Sequence, residues 1–169
     1  AELIFGTTDL PRDFIHFCIA HFAGRGIVLD GALRHGPTRN AGALGSMPIP
    51  VVGAQGGQLL EKASVSALEA LIGRSLPPDD SGWDVPAGIE SEWADQAGRA
   101  LAFVALSAVA LVDLPLVVID GAVPPATRAR LAQATRAALE GMPTAGIDRP
   151  QVIEGSLGRS ARILGAAGL

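Results

Sequence analysis

One short pattern limits what this chain can become. Ile27-Val28-Leu29 runs into Asp30-Gly31, and Ala32-Leu33 follows. An Asp-Gly pair suits a two-residue turn whose central positions both need positive φ, so the flanking apolar runs are set to pair as a hairpin. A further run at 13–20, dense in Phe and Ile, precedes them and reads as a strand. Three consecutive short strands predict an antiparallel meander. Gly24 and Gly26 lie between the first two runs, and a polar, glycine-rich loop follows the third. Residues 49–52 read as one more extended piece, bracketed by Pro48 and Pro50.

Beyond this point the period changes. Leu60, Val65, Leu68, Leu71 and Ile72 fall at helical spacing, predicting a helix over 61–72 that stops at Gly73. Residues 76–88 are rich in Pro, Asp and Gly and read as a loop, in which Trp83 either caps the core or lines a cleft. A long helix is expected over 89–112, with Glu90, Glu92 and Asp95 at the positive end of its dipole. Its second half is apolar all round, which places it between layers. The unbroken apolar run 114–119 reads as a strand covered on both faces. Pro124 and Pro125 open a helix that Gly141 and Pro143 close; its Arg128, Arg130, Arg136 and Glu140 read as a solvated face. A short strand at 151–154 and an Ala-rich helix at 160–167 complete the order, while 1–5 reads as a helix end stopped by Gly6. The fold class that follows is α/β, a mixed sheet with antiparallel first strands and helices on its faces.

The 169 residues suffice for one domain with a core. The formal net charge is −4 with one lysine, Lys62, and scattered arginines, which excludes a nucleic-acid surface on this segment. Cys18 is the one cysteine, so no internal disulfide forms; an inert buried thiol in a reducing, cytoplasmic setting is expected. No secretory signal is visible. The only membrane candidate, 100–119, is split by Asp113 and Pro115 into a helix-length and a strand-length piece, so no membrane partner is expected. The chain opens without Met and reads as beginning in mid-helix, from which a preceding domain is expected.

Taken in order, Gly26-Ile27-Val28-Leu29-Asp30-Gly31, Gly36, Asn40-Ala41-Gly42 with Gly45, Glu61 and Ser64, the strand ending Val117-Val118-Ile119-Asp120-Gly121, and Leu164-Gly165-Ala166-Ala167 resemble the C-terminal lobe of the ROK family. That family groups sugar kinases with sugar-responsive transcriptional repressors, and the resemblance spans essentially the whole chain. It implies an actin-like, ribonuclease-H-like ATPase lobe over 1–169, with the N-terminal lobe absent from this sequence. Sugar and ATP would bind in the cleft between lobes. The family's general-base aspartate would fall before Ala1. Self-association into a homo-oligomer is likewise implied.

The family's motifs are only partly kept. Its Gly-Thr-Gly-x-Gly-x-Gly phosphate loop lets backbone N–H groups approach phosphate oxygens with no Cβ in the way. The matching residues here are Ala20-His21-Phe22-Ala23-Gly24-Arg25-Gly26, so Gly24 and Gly26 remain as cofactor-binding candidates and Phe22 replaces a glycine. His21 or Arg25 would still offer charge to an anion; the alternative is a plain turn. Asp120 and Gly121 stand where the family has paired glycines near the nucleotide, with Asp120 alternatively capping the next turn. The sugar motif Asn-Ala-Gly-Glu-x-Gly-His is here Asn40-Ala41-Gly42-Ala43-Leu44-Gly45-Ser46: Asn40 and Gly42 are kept, the sugar-binding glutamate and the histidine are not. Glu61 matches a further sugar contact, or serves only the helix dipole. The family's cysteine-rich zinc motif is matched by 51–59, which holds no thiol, and His16, His21 and His35 do not replace it by spacing, so zinc is not expected.

The expected function is therefore a sugar-sensing or regulatory domain of a ROK-type transcriptional regulator whose kinase motifs have decayed. A divergent ATP-dependent sugar kinase ranks second, using ATP and Mg, and a purely structural domain third. No residue of this lobe is expected to be catalytic.

Overall fold

The computed structural model describes residues 10–50, 56–78, 80–158 and 160. Strands β1 (Phe14–Ile19), β2 (Gly24–Leu29) and β3 (Ala32–Leu33) form the expected meander. The chain then makes a 3-10 turn, Leu44–Ser46, and a two-strand ribbon of β4 (Pro48–Ile49) and β5 (Gly57–Gln58). Helices α1 (Leu60–Ala63), α2 (Val65–Ile72) and α3 (Ala87–Val112) precede β6 (Leu116–Gly121), α4 (Pro125–Glu140) and β7 (Gln151–Glu154). The main sheet runs β3-β2-β1-β6-β7, antiparallel across its first three strands and parallel across β1, β6 and β7. This is the expected α/β architecture with a mixed sheet.

At the hairpin tip Asp30 and Gly31 both have positive φ, 56° and 74°. The tip is fastened to the chain before β1. Asp13 Oδ1 accepts the Asp30 N–H at 2.5 Å, and the Arg12 carbonyl accepts that of Gly31 at 2.8 Å. Register across β1 therefore rests on more than the ladder itself.

Alternation along the strands divides the sheet into two faces. Ile15, Phe17, Ile19, Val117, Ile119 and Val152 belong to the main core, to which all four helices give their buried residues. Phe14, Val28, Leu116 and Val118 form a smaller cluster on the other face, with Leu10 and Ile153 against it. The expectation of helices on both faces thus needs correction among the described residues, whose helices share one face. The helix expected at 160–167 lies outside them, apart from Ser160, as do 1–5 and the extended residues 51–52.

Helix α3 is long and apolar enough to cross a membrane, yet half of its most apolar window is buried inside the protein. Trp93, Ala97, Leu101, Val104 and Ala108 line its core side. Against α4 it comes unusually close: a Cβ on Gly98 would lie 2.6 Å from Ala134 Cβ and 2.7 Å from the Ala134 carbonyl carbon. Glu90 joins the same pair of helices, accepting from Thr127 Oγ1 at 2.5 Å and facing Arg130 at 3.7 Å.

Several boundaries move. The helix expected over 61–72 is two helices, broken where Ser64 turns extended at φ −80°, ψ 152°. The strand expected from Ile27 starts at Gly24, because Gly24 and Gly26 pair with Cys18 and His16. The strand expected over 114–119 starts at Leu116 and runs on through Asp120 and Gly121. Trp83 packs against the main core, as its capping alternative has it. Cys18 is half-buried rather than sealed in the core.

Candidate functional site

Sheet register gathers several of the singled-out residues at the carboxyl end of the parallel strands, the end at which open α/β sheets place their ligands. Gly24 opposes Cys18, and Cys18 opposes Asp120, so the three form one row across β2, β1 and β6. Gly121 opposes Ile19 in the next position.

Asp120 is fully buried. Its Oδ1 accepts the Gly158 N–H at 2.9 Å and lies 3.4 Å from Arg128 Nη1; Oδ2 lies 3.2 Å from the same Gly158 nitrogen. Arg128 also reaches Glu154 Oε2 at 3.8 Å. Glycines make the room. A Cβ on Gly155 would lie 2.5 Å from Asp120 Cβ, and one on Gly121, at φ +143°, only 1.8 Å from the Ile19 carbonyl oxygen. The carboxylate neither opens to a ligand nor caps the next helix: it ties the segment after β7 to the end of β6. Arg128, read from sequence as part of a solvated face, is instead largely buried in this tie.

The turn between β1 and β2 is bound just as closely. Its Ala20 and His21 carbonyls accept the N–H groups of Val65 and Ser66 at 2.9 and 3.2 Å, capping α2. Ser64 Oγ accepts the buried Ala23 N–H at 2.8 Å. His21 Nδ1 lies 3.3 Å from Glu69 Oε2, and its ring meets exposed Phe22 edge-on. A phosphate needs free N–H groups in such a turn. Here the Ala23 N–H is taken, Gly24 and Gly26 belong to a sheet ladder, and a buried carboxylate closes the adjacent strand end. The residues present do not fit a nucleotide triphosphate in the way the family motif implies.

The glycine-rich loop lies over the start of β2. Gly42, at φ +71°, brings its backbone so near that a Cβ would sit 3.0 Å from the Ile27 nitrogen, and one on Gly45 would sit 2.6 Å from the Ala23 carbonyl oxygen. The loop, the β1–β2 turn and α1 therefore meet. Asn40 is exposed; its side chain makes a 3.4 Å hydrogen bond to Thr38 Oγ1, and its carbonyl accepts from Ala43 N–H at 3.0 Å. Glu61 is exposed on the four-residue α1. Asn40 and Glu61 are thus free to meet a solute, whereas Gly42 shapes the loop. Among the described residues no group of three or more His, Cys, Asp and Glu could hold a metal, and 51–55 of the zinc-motif segment lie outside them.

Comparison with solved structures covers nearly the whole chain. A ROK hexokinase from Thermus thermophilus aligns over 98% of this chain and 59% of its own, at 24% identity and a TM-score of 0.67. A ROK family transcriptional regulator, a homologue of the Escherichia coli MLC protein, aligns over 98% and 47%, at 20% identity and a TM-score of 0.68. A ROK family glucokinase from Streptomyces griseus, solved with glucose and AMPPNP, aligns over 99% and 63%, at 18% identity and a TM-score of 0.65. The chain has the ROK fold. No family model and no curated protein matches its sequence. It spans roughly half to two-thirds of the length of these ROK structures.

Several residues of the site carry only weak signals in the sequence. Gly155 and Gly158, just after a strand, were a hint of close backbone approach. Arg128, eight residues beyond Asp120, was within one strand-to-helix turn of it. Ser64 enters the sequence reading only through the ROK resemblance; nothing local to it announces a 41-residue reach to Ala23.

Proposed function

We propose that the chain is the C-terminal, actin-like lobe of a ROK-type transcriptional regulator and that it senses a sugar rather than phosphorylating one. The observation that carries this reading is Asp120. A buried carboxylate at the strand end, already bonded to Gly158 and Arg128, sets a like charge against any phosphate brought there. Ala43 and Ser46 in the sugar motif support the same reading, since neither supplies the carboxylate or imidazole of the kinases. Asn40 and Glu61 remain the proposed sugar contacts, and Gly42 their support. Glucose, bound by the Streptomyces glucokinase, and sucrose, bound by a Streptococcus pneumoniae ROK protein, indicate the ligand class to try first. We further propose a cytoplasmic homo-oligomer whose DNA contacts, in the whole protein, lie outside this acidic segment.

The second reading, a divergent sugar kinase, draws on the several kinases that share the fold. The full-length protein separates the two. Incubated with ATP, Mg²⁺ and glucose, it is expected to release no ADP above background. A panel of hexoses and disaccharides is expected to contain at least one that raises Tm and alters affinity for DNA from the protein's own promoter region. Sugar-dependent ADP release would overturn the regulator reading. A flat Tm across the panel would leave the domain a structural one.

A further inference from the structure

A cleft opens between β4, α1 and α3. It has a volume of about 480 Å³, within the usual range for small-molecule sites. Ile49, Pro50, Ala100, Phe103 and Met142 make its apolar lining, while Lys62, Arg99 and Gln96 bring polar groups to it. Two features set it apart. Phe103 is 36% exposed, so an aromatic ring is left open to solvent at the cleft. The side chains of Lys62 and Arg99 have no hydrogen-bond or ion-pair partner among the described residues, although the chain carries an excess of acidic groups. The neighbouring hollow differs: its Arg149 is satisfied by the carbonyls of Leu139, Glu140 and Met142.

An apolar bed with two unmatched cations selects for an anion that carries an apolar body. Phosphate alone would leave Phe103 and Met142 wet, and a neutral hydrocarbon would leave both cations unanswered. A sugar, polar all over, suits the bed poorly. A guanidinium accepts a carboxylate on two parallel hydrogen bonds, and an ammonium adds a point charge. We propose that this cleft binds a small organic carboxylate with an aromatic or branched apolar body, the carboxylate meeting Arg99 and Lys62 and the body lying on Phe103, Ala100 and Met142. Neither Asn40 nor Glu61 lines the cleft, although Lys62 follows Glu61 on α1, and the proposal depends on neither the regulator nor the kinase reading.

The test uses 3-phenylpropionate and its primary amide, 3-phenylpropanamide, titrated into the full chain by isothermal calorimetry and by NMR shift mapping. The acid is expected to bind saturably, at least about fivefold tighter than the amide, with the difference shrinking as salt rises from 50 to 500 mM, roughly a Debye length of 14 Å falling to 4 Å. The pair Lys62→Gln and Arg99→Gln should remove that preference together, while Arg39→Gln outside the cleft should not. Shifts should centre on Phe103 and Met142. Equal binding of acid and amide to the unaltered chain, no saturable binding of the acid up to about 10 mM, or an undiminished preference in the double variant would each overturn the proposal.

Discussion

Asp120 has no route to water, so everything that answers its charge is protein. Removing the carboxylate leaves the Gly158 N–H and the Arg128 guanidinium short of an acceptor in a buried place, and a broken buried pair costs more than its formation returns. Asp120→Ala is expected to lower stability by about 3 kcal/mol in urea titration with the slope unchanged, and Asp120→Asn by roughly half that, since an amide oxygen still accepts from Gly158. A smaller loss for Ala than for Asn would contradict this account. Gly155 fails for a geometric reason in the same place. Gly155→Ala would press a methyl within 2.6 Å of Asp120 Cγ, and a loss of about 2 kcal/mol is expected from that overlap. None of this was legible from sequence beyond a suspicion, because an aspartate beside a glycine at a strand end is equally at home in a turn, a cap or a ligand site. The residues that decide among these arrive from 8 and 38 positions further on.

The hinge between α1 and α2 shows what one side chain can do to an element. Hydrophobic spacing fits a single helix across Ser64, and local propensity gives no reason to break it. The break comes from tertiary structure, because Ser64 Oγ is called to the buried Ala23 N–H while two carbonyls of the same turn cap α2. Ser64→Ala should cost about 1–2 kcal/mol and speed amide exchange at Ala23 far more than at Ile27, read by native-state hydrogen exchange. Uniform acceleration along β2 would argue against this local role. Helices α3 and α4 meet through small residues, Gly98 against Ala134. Gly98→Val, which sets a branched side chain against the Ala134 backbone, is expected to lower Tm by several degrees, about 2–3 kcal/mol, without changing helix content by circular dichroism. Strand and helix positions were readable here because the hairpin, the buried strand and the long apolar helix each carry a period. The start of β2 and the end of β6 are not readable this way, because glycine and aspartate, weak in a ladder by propensity, are held there by their partners.

At the scale of the molecule, the five-strand order has a temporal side. The β1–β2–β3 meander closes over a few residues, and its tip is held to Arg12 and Asp13. The central joint of the sheet is different: Ile15 must find Val117, roughly a hundred residues later in the chain. Everything that forms α1, α2 and α3 is synthesised between the two. A nascent chain thus holds a finished hairpin whose inner edge has no neighbour, with the backbone groups of Ile15, Phe17 and Ile19 waiting for a strand not yet made. A second copy of the same hairpin offers a matching edge in the meantime. Refolding yield is therefore expected to fall as protein concentration rises, and chains arrested on the ribosome before Leu116 should cross-associate where those arrested after Glu154 do not.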